Sequence, residues 1–517
     1  MTFAYNIIAN YLGRLFTIAA GYIVIPFYIA YVGEAGFGVI SFYTIILTFG
    51  ALMDAGFTPT FTREVARAPT GEHLPRLLAS MEAILLVALG LAAWLVIALA
   101  GPIAESWLGS SGQVGAHEIE RSVMLMGLCL VPQLMSPLYT AALLGLQRQV
   151  IANGLLVFAT SLRSFAVLPV LAASPSLETF FLWQIAANLI VLLVTRSVAL
   201  ALLGKRPFFF ARPDFRLFLP VWQFSAGMLA IQAVASVNTQ LDKLVVSKLF
   251  SVEDLGFYTI ASTLGLVPYA MVIPILIAAL PRMTGFFESK NFRELQKSYL
   301  MLTAIVGALA AFSSAGIAFY TDEIFSLWLP DVDLPQYAGL LAQLLVSGGF
   351  FLAVGSVAFY VGLACGHNQT SVMIGIVTLI LSPPTMAIGA SIWGITAVAI
   401  PWLIFNILNF LVLSIRVVGP RVGYCSVWLA LATIALIGAA GLSTTALGQR
   451  IAASLDFGAL ATLFLGCALA ALMIGALWLL IPRLNAAVSA KFNLVEVPDV
   501  MASSSRAAPS SAQPESL

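Results

Sequence analysis

The stretch Leu77–Ala100 reads LLASMEAILLVALGLAAWLVIALA and holds one charged residue, Glu82, in twenty-four positions. At about 1.5 Å of rise per residue, a helix of this length crosses a hydrocarbon layer about 30 Å thick. Its apolar residues are consecutive rather than alternating, which excludes a strand of a transmembrane barrel. Working outward, fourteen such runs cover the chain: about 6–30, 36–58, 77–100, 121–144, 150–172, 178–203, 217–248, 254–280, 298–320, 338–363, 370–388, 392–415, 426–447 and 457–480. The 517 residues are 61% hydrophobic and only 9% charged, with a mean hydropathy of +1.00. Soluble domains carry roughly 25% charged residues, so soluble folds and nucleic-acid binding are excluded. A net charge of +1 also excludes a generally basic membrane-surface protein. The expectation is an all-α polytopic membrane protein.

Charges between the runs set the orientation. Lys and Arg accumulate on the cytoplasmic side of membrane proteins. Here the even-numbered loops and the tail carry clusters such as Arg63, Arg67 and Arg76; Lys205, Arg206, Arg212 and Arg216; and Arg282, Lys290, Arg293 and Lys297. The odd-numbered loops carry only Arg121, Lys248 and Arg450, and are instead acidic at Glu105, Glu118, Glu120, Asp322, Glu323, Asp331 and Asp333. Both termini are therefore expected in the cytoplasm of a multi-pass protein of the bacterial inner membrane. No basic region or cleavage site marks the first run, which reads as a retained helix. The tail from about residue 498 is rich in Ser, Ala and Pro and is expected to be disordered.

The chain resembles itself. Glu34-Ala-Gly-Phe-Gly-Val-Ile-Ser stands near the start of the second run, and Glu253-Asp-Leu-Gly-Phe-Tyr-Thr-Ile near the start of the eighth. Aligning Gly38 with Gly256 also brings Arg63 within one residue of Arg282. An offset of six runs preserves orientation, so the halves are parallel repeats. The expected organisation is an N-terminal six-helix lobe at 1–204 and a second at 205–418. Two additional helices follow at 419–482, then a cytoplasmic tail at 483–517.

Ionisable groups inside the runs are few, and each is a functional candidate because charge in hydrocarbon is costly. Arg163 lies near the middle of the fifth run; a structural arginine held by carbonyls is the competing reading. Asn6, Asn10, Arg14 and Thr17 share one face of the first helix, although Arg14 is shallow enough to reach the interface. Gln232, Ser236, Gln240, Lys243 and Ser247 stripe the seventh, with Asp242 beside them. Adjacent residues point about 100° apart, so Asp242 and Lys243 are expected to serve different partners. Asp242 reads equally as an interlobe hydrogen-bonding residue or a cation or proton site. Asp54, Arg63, Glu82 and Arg282, near cytoplasmic helix ends, read as anchors or an inside-closing ion network. Pro26, Pro132, Pro137, Pro169, Pro268, Pro274 and Pro401 each free a backbone carbonyl within or near a run.

Other chemistries find no footing. No P-loop occurs, and the Asp331-Val-Asp333 triplet lies on the expected outer face. His73, His117 and His367, with Cys129, Cys365, Cys425 and Cys467, show no metal-ligand or disulfide spacing.

Pro26-Phe-Tyr-Ile-Ala-Tyr-Val-Gly-Glu-Ala-Gly-Phe-Gly, Asp54-Ala-Gly-Phe and Arg63-Glu-Val-Ala are similar to the start of polysaccharide flippases. Leu241-Asp-Lys-Leu-Val-Val-Ser-Lys-Leu-Phe and Leu255-Gly-Phe-Tyr-Thr-Ile-Ala match in the second half. The chain thus resembles the Wzx-type branch of the multidrug/oligosaccharidyl-lipid/polysaccharide exporter superfamily, over residues 1 to about 480. The resemblance implies two MATE-like six-helix lobes around a central cavity and alternating access for a lipid-linked oligosaccharide. On that reading Arg14, Arg163 and Lys243 meet a pyrophosphate, while Asn10, Gln232, Ser236 and Gln240 line the cavity. No cofactor or metal is expected, and coupling to a proton or sodium gradient stays open. Membrane lipids and a polymerase or export machinery are the candidate partners. A cation-coupled multidrug exporter is the alternative, disfavoured because the first helix carries Arg14 and no acid. A membrane-embedded sugar polymerase or ligase is a weaker alternative, since no large outer loop is present.

Overall fold

The structure is a computed structural model that describes residues 2–68, 73–109, 114–205, 211–217, 222–455 and 457–492. Among the described residues, helix makes up most of each of the fourteen apolar runs. The first lies within α1 (Thr2–Ala51), which is broken at Gly33, and the second begins in α1 and ends past it. There φ is 75°, a left-handed conformation that a Cβ would disfavour. A turn at 52–56 leads to the short helix α2 (Phe57–Arg67). Then come α3 (Leu74–Ala98), α4 (Ala116–Gly145), α5 (Gln149–Ala173) and α6 (Leu177–Leu202). The seventh run is two helices, α7 (Trp222–Asn238) and α8 (Leu241–Leu249), and the eighth is α9 (Val252–Gly265) followed by α10 (Val267–Glu288). Next are α11 (Phe292–Phe319), the short α12 (Thr321–Trp328), α13 (Ala338–Ala364), α14 (Gln369–Trp393), α15 (Thr396–Val422), α16 (Tyr424–Ser454) and α17 (Ala459–Phe492). The last runs ten residues past the expected start of the tail, on Ala-, Leu- and Lys-containing sequence that favours helix. Eleven of the described helices are long and apolar enough to cross a membrane.

Contacts divide the chain into two compact units, 1–263 with 328–341 and 375–401, and 264–327 with 342–374 and 402–517. In the first, Phe61 and Val65 of α2 join Leu77, Met81, Leu85 and Leu89 of α3 and Leu130, Leu138 and Leu143 of α4 in one core. Lipid is as apolar as leucine, so such helices are held by close packing at small residues. Gly127 and Gly145 show this: a Cβ there would stand 3.0 Å from the Ala93 carbonyl oxygen and 2.7 Å from that of Thr62, respectively.

The second unit is built on α11, whose Leu302, Val306 and Ala310 pack with Val354, Val357 and Val361 of α13 and with Val427, Ala430 and Ile434 of α16. Tyr320 closes one end of it. Its hydroxyl donates to the Thr445 carbonyl at 3.1 Å. That hydroxyl lies where a Cβ on Gly448 would stand 2.5 Å away, and the ring lies where one on Gly466 would stand 2.5 Å away.

Candidate functional site: a buried arginine on a π turn

Helix α5 changes register at Ser161–Phe165, where one turn is wound as a π-helix. A π turn displaces carbonyls from the i→i+4 ladder, and such bulges recur at functional sites. Here three side chains take up the displaced carbonyls. Trp183 Nε1 donates to Leu162 O at 2.9 Å, Gln184 Nε2 to Arg163 O at 2.9 Å, and Tyr28 Oη to Ser164 O at 3.3 Å. The backbone of Arg163 is thereby fixed from α6 and α1.

The Arg163 side chain is half-buried, and its Nε is buried without a hydrogen-bond partner. Among the described residues no carboxylate lies within ion-pair distance of it. Its electrostatic neighbour is Tyr43. Tyr43 Oη donates to Gln133 Oε1 at 2.6 Å, and Asn188 Nδ2 donates to the same oxygen at 3.1 Å. Asn188 is fully buried and its Oδ1 has no partner. Sequence reasoning missed Gln133, Gln184 and Asn188. The last two, four apart on α6, form the polar stripe that would have revealed them.

The other expected residues are distributed as follows. Asn10 donates to Gln149 Oε1 at 3.0 Å and accepts from Asn153 Nδ2, and the Thr17 and Thr160 hydroxyls meet at 3.3 Å. The stripe on α1 therefore faces α5. Both Asn10–Asn153 and Thr17–Thr160 are 143 residues apart, so the two helices run parallel and in register. Arg163 is then level with Ala20, about 9 Å beyond Arg14 along the helix. Arg14 itself is exposed, and the Asn6 side chain lies outside the described residues.

On α7, Gln232 is exposed and Ser236 half-buried. Just beyond its end, Gln240 Nε2 donates to Thr48 Oγ1 at 3.3 Å, while Gln240 Oε1 is buried without a partner. Asp242 is buried at the start of α8, with one oxygen accepting from the Lys243 backbone N–H at 2.8 Å and the other from Tyr258 Oη at 3.0 Å. The Lys243 side chain is half-buried and makes no ion pair within 4.0 Å among the described residues.

Towards the expected cytoplasmic side, Glu82 meets Arg196 Nε at 3.6 Å and hydrogen-bonds Tyr139. Asp54 stands in the turn between α1 and α2, outside the membrane-spanning helices. It accepts from Thr58 Oγ1 at 2.7 Å, and its Oδ1 is buried without a partner. Burial pushes this carboxyl up from 3.8 to about 7, against the opposing pull of Thr58. Nearby, Thr60 Oγ1 and Ser225 Oγ lie 2.7 Å apart. Arg63 is exposed on α2, and Arg282 is exposed with its guanidinium 5.2 Å from the Phe286 ring. No group of three or more metal-ligating side chains occurs among the described residues.

Eleven apolar helices with polar side chains gathered among them define a polytopic membrane protein. The family model described as "Polysaccharide biosynthesis protein" matches residues 3–287, more than half of the chain. This chain belongs to that family, and the Wzx-type resemblance within the exporter superfamily is borne out. A Shigella flexneri protein named "Putative O-antigen transporter" is 22% identical over 403 residues, covering 74% of this chain and 90% of its own. Among solved structures, the lipid II flippase MurJ in an inward closed conformation superposes with a TM-score of 0.70 at 13% identity, over 92% of this chain and 98% of its own. An inward-facing MATE-family multidrug resistance transporter gives 0.61 at 14% identity, over 81% and 95%. The MATE-like, all-helical fold expected from the sequence is therefore present.

Proposed function

We propose that this protein flips polyprenyl-pyrophosphate-linked oligosaccharides to the outer leaflet of the bacterial inner membrane for surface polysaccharide synthesis. One observation carries the reading. Arg163 places a guanidinium in the middle of an apolar helix, and no carboxylate of the described chain offsets it. A charge in such a place is costly unless it serves a partner. The guanidinium fork matches the oxygens of a pyrophosphate in a bidentate fashion. Arg14, one to two turns nearer the cytoplasm, and Lys243 add positive charge on the same route, while Gln232, Ser236 and Gln240 accommodate sugar hydroxyls. Asp54, Arg63, Glu82 and Arg282 hold the inner end, and the lipid tail stays in the bilayer. The lobes alternate in access, with a proton or sodium gradient as the candidate driving force, and the family's role in polysaccharide biosynthesis supports this assignment.

The test is export. Arg163→Ala and the Arg14→Ala/Arg163→Ala double variant are expected to lose surface glycan while inserting and folding normally. Full glycan export by the double variant would overturn the cationic-path mechanism. Loss of drug resistance with intact glycan on gene deletion would overturn the cargo assignment.

A further inference from the structure

The segment that joins the two sequence repeats is fastened to α3 by one buried hydroxyl. Ser80 Oγ donates to the Arg76 carbonyl at 2.9 Å and accepts from the Asp214 backbone N–H at 2.7 Å. Asp214 closes its own turn, accepting from the Arg216 N–H at 3.2 Å, and Leu217 packs inward against the core of α2, α3 and α4. This pinning leaves Arg212, Phe215 and Arg216 exposed next to Ser80, with Arg76 exposed one helical turn before it. Among the described residues, none of the three guanidiniums meets a carboxylate within 4.0 Å. Arg67, Arg121 and Lys297, elsewhere on the surface, each pair with a glutamate.

The charge pattern assigns this patch to the cytoplasmic boundary of the membrane. Further along α3 the same face is bare and apolar. Arg76, Ser80, Val87, Leu91 and Trp94 are spaced by nearly whole turns and so share one side of the helix. Val87, Leu91 and Trp94 are 72%, 63% and 63% exposed. Val87 stands about 16 Å beyond Arg76 along the axis, half of a hydrocarbon layer about 30 Å thick. A cationic head site and an apolar track one leaflet long are thus aligned on one helix face. A free phosphate would use only the first, and an acidic protein segment would have no use for the second.

We propose that this face binds an anionic phospholipid of the inner leaflet, its phosphate held by Arg76, Arg212 and Arg216 and one acyl chain lying along α3 as far as Val87. The guanidinium fork matches phosphate oxygens in pairs, and basic sites at the cytoplasmic ends of membrane helices take up anionic head groups. Phe215 adds apolar contact where head group gives way to chain. The bound lipid ties the joining segment to α3 beyond what Ser80 alone achieves.

The experiment titrates dioleoylphosphatidylglycerol into the purified full chain in a non-ionic detergent and reads bound lipid by native mass spectrometry. Phosphatidylglycerol is expected to bind roughly tenfold more tightly than phosphatidylcholine with the same chains. Arg76→Gln/Arg212→Gln/Arg216→Gln is expected to weaken it about tenfold. Lys290→Gln/Arg293→Gln/Lys297→Gln, which removes equal charge from the hairpin between α10 and α11, is expected to change it by less than about twofold. Ser80→Ala and Phe215→Ser alter no charge, and each is expected to weaken binding about two- to threefold. Equal affinity for the two lipids, or equal loss in the two triple variants, would overturn the site. Displacement of the lipid by millimolar glycerol 3-phosphate would show a free-phosphate site instead, and displacement by a polyglutamate peptide a protein-docking one; either overturns the lipid assignment. Should the first triple variant fail to accumulate, parental affinity in both Ser80→Ala and Phe215→Ser would overturn it as well.

Discussion

Arg163 and Arg196 both lie within membrane-spanning helices of the first unit, and they are held in opposite ways. Arg196 on α6 faces Glu82 of α3, and Tyr139 of α4 completes the group. Arg163 sits on a π turn whose carbonyls are tied down by three neighbours, yet among the described residues no acid pairs with its guanidinium. The first arrangement neutralises charge within the protein and stiffens the α3–α4–α6 bundle. The second spends backbone and side-chain hydrogen bonds on presenting a charge and leaves it uncompensated. The pair thus separates an arginine that holds structure from one suited to bind an anion.

The comparison can be broken at several points. The largest effect is expected for Arg163→Ala. Surface glycan should fall at least tenfold while the melting temperature in detergent stays near that of the parent, since no protein partner is orphaned. Arg196→Ala should do the reverse to stability, stranding Glu82 in a poorly solvated place. For a pair this partly exposed, a loss of about 1–3 kcal/mol is expected, read as a lower melting temperature. Arg196→Ala/Glu82→Ala should recover part of it, and if the double variant melts no higher than the single one, the pairing argument fails.

Asp54 gives a pH signature. Its folded carboxyl titrates at about 7 against an ordinary 3.8, so the folded state holds the proton more tightly than the unfolded state does. Its contribution to stability is fully present below pH 3.8 and is lost as pH rises through about 7. Melting temperature should decline from about pH 4 to about pH 7 and level off above it, and Asp54→Asn should flatten that slope. The smallest effect is expected for Gln184→Leu, which frees the Arg163 carbonyl at a cost of about 1 kcal/mol. Glycan export should weaken without vanishing, and Gln184→Asn should restore none of it if the reach from α6 to the π turn is what matters.

Much of the fold was legible because lipid imposes one strong rule: a spanning helix needs about twenty apolar residues. That rule located all fourteen runs. It could not show that the seventh breaks between Asn238 and Leu241, because Thr239 and Gln240 read as one more polar pair on a helix face. The turn at Asp54 was hidden for the same reason. Arg163 stood out by depth alone. Its setting did not, since Gln133, Gln184 and Asn188 carry no charge and matter only through the register shift of α5. Arg196 escapes a reading keyed to loop charges because its partner, Glu82, is more than a hundred residues away in sequence.

Tyr320 bears on how the protein is made. Its hydroxyl rests against Gly448 of α16 and on the Thr445 carbonyl, and its ring against Gly466 of α17. A ribosome must therefore add nearly 150 residues after Tyr320 before the second unit can seal around it. Until then α11, whose flank is shaped for α16, must wait in the bilayer beside the insertion machinery. Chains that stall before residue 466 would expose that unfilled flank to membrane quality control, and a missense change at Gly448 or Gly466 would be recognised as though the chain had been cut short.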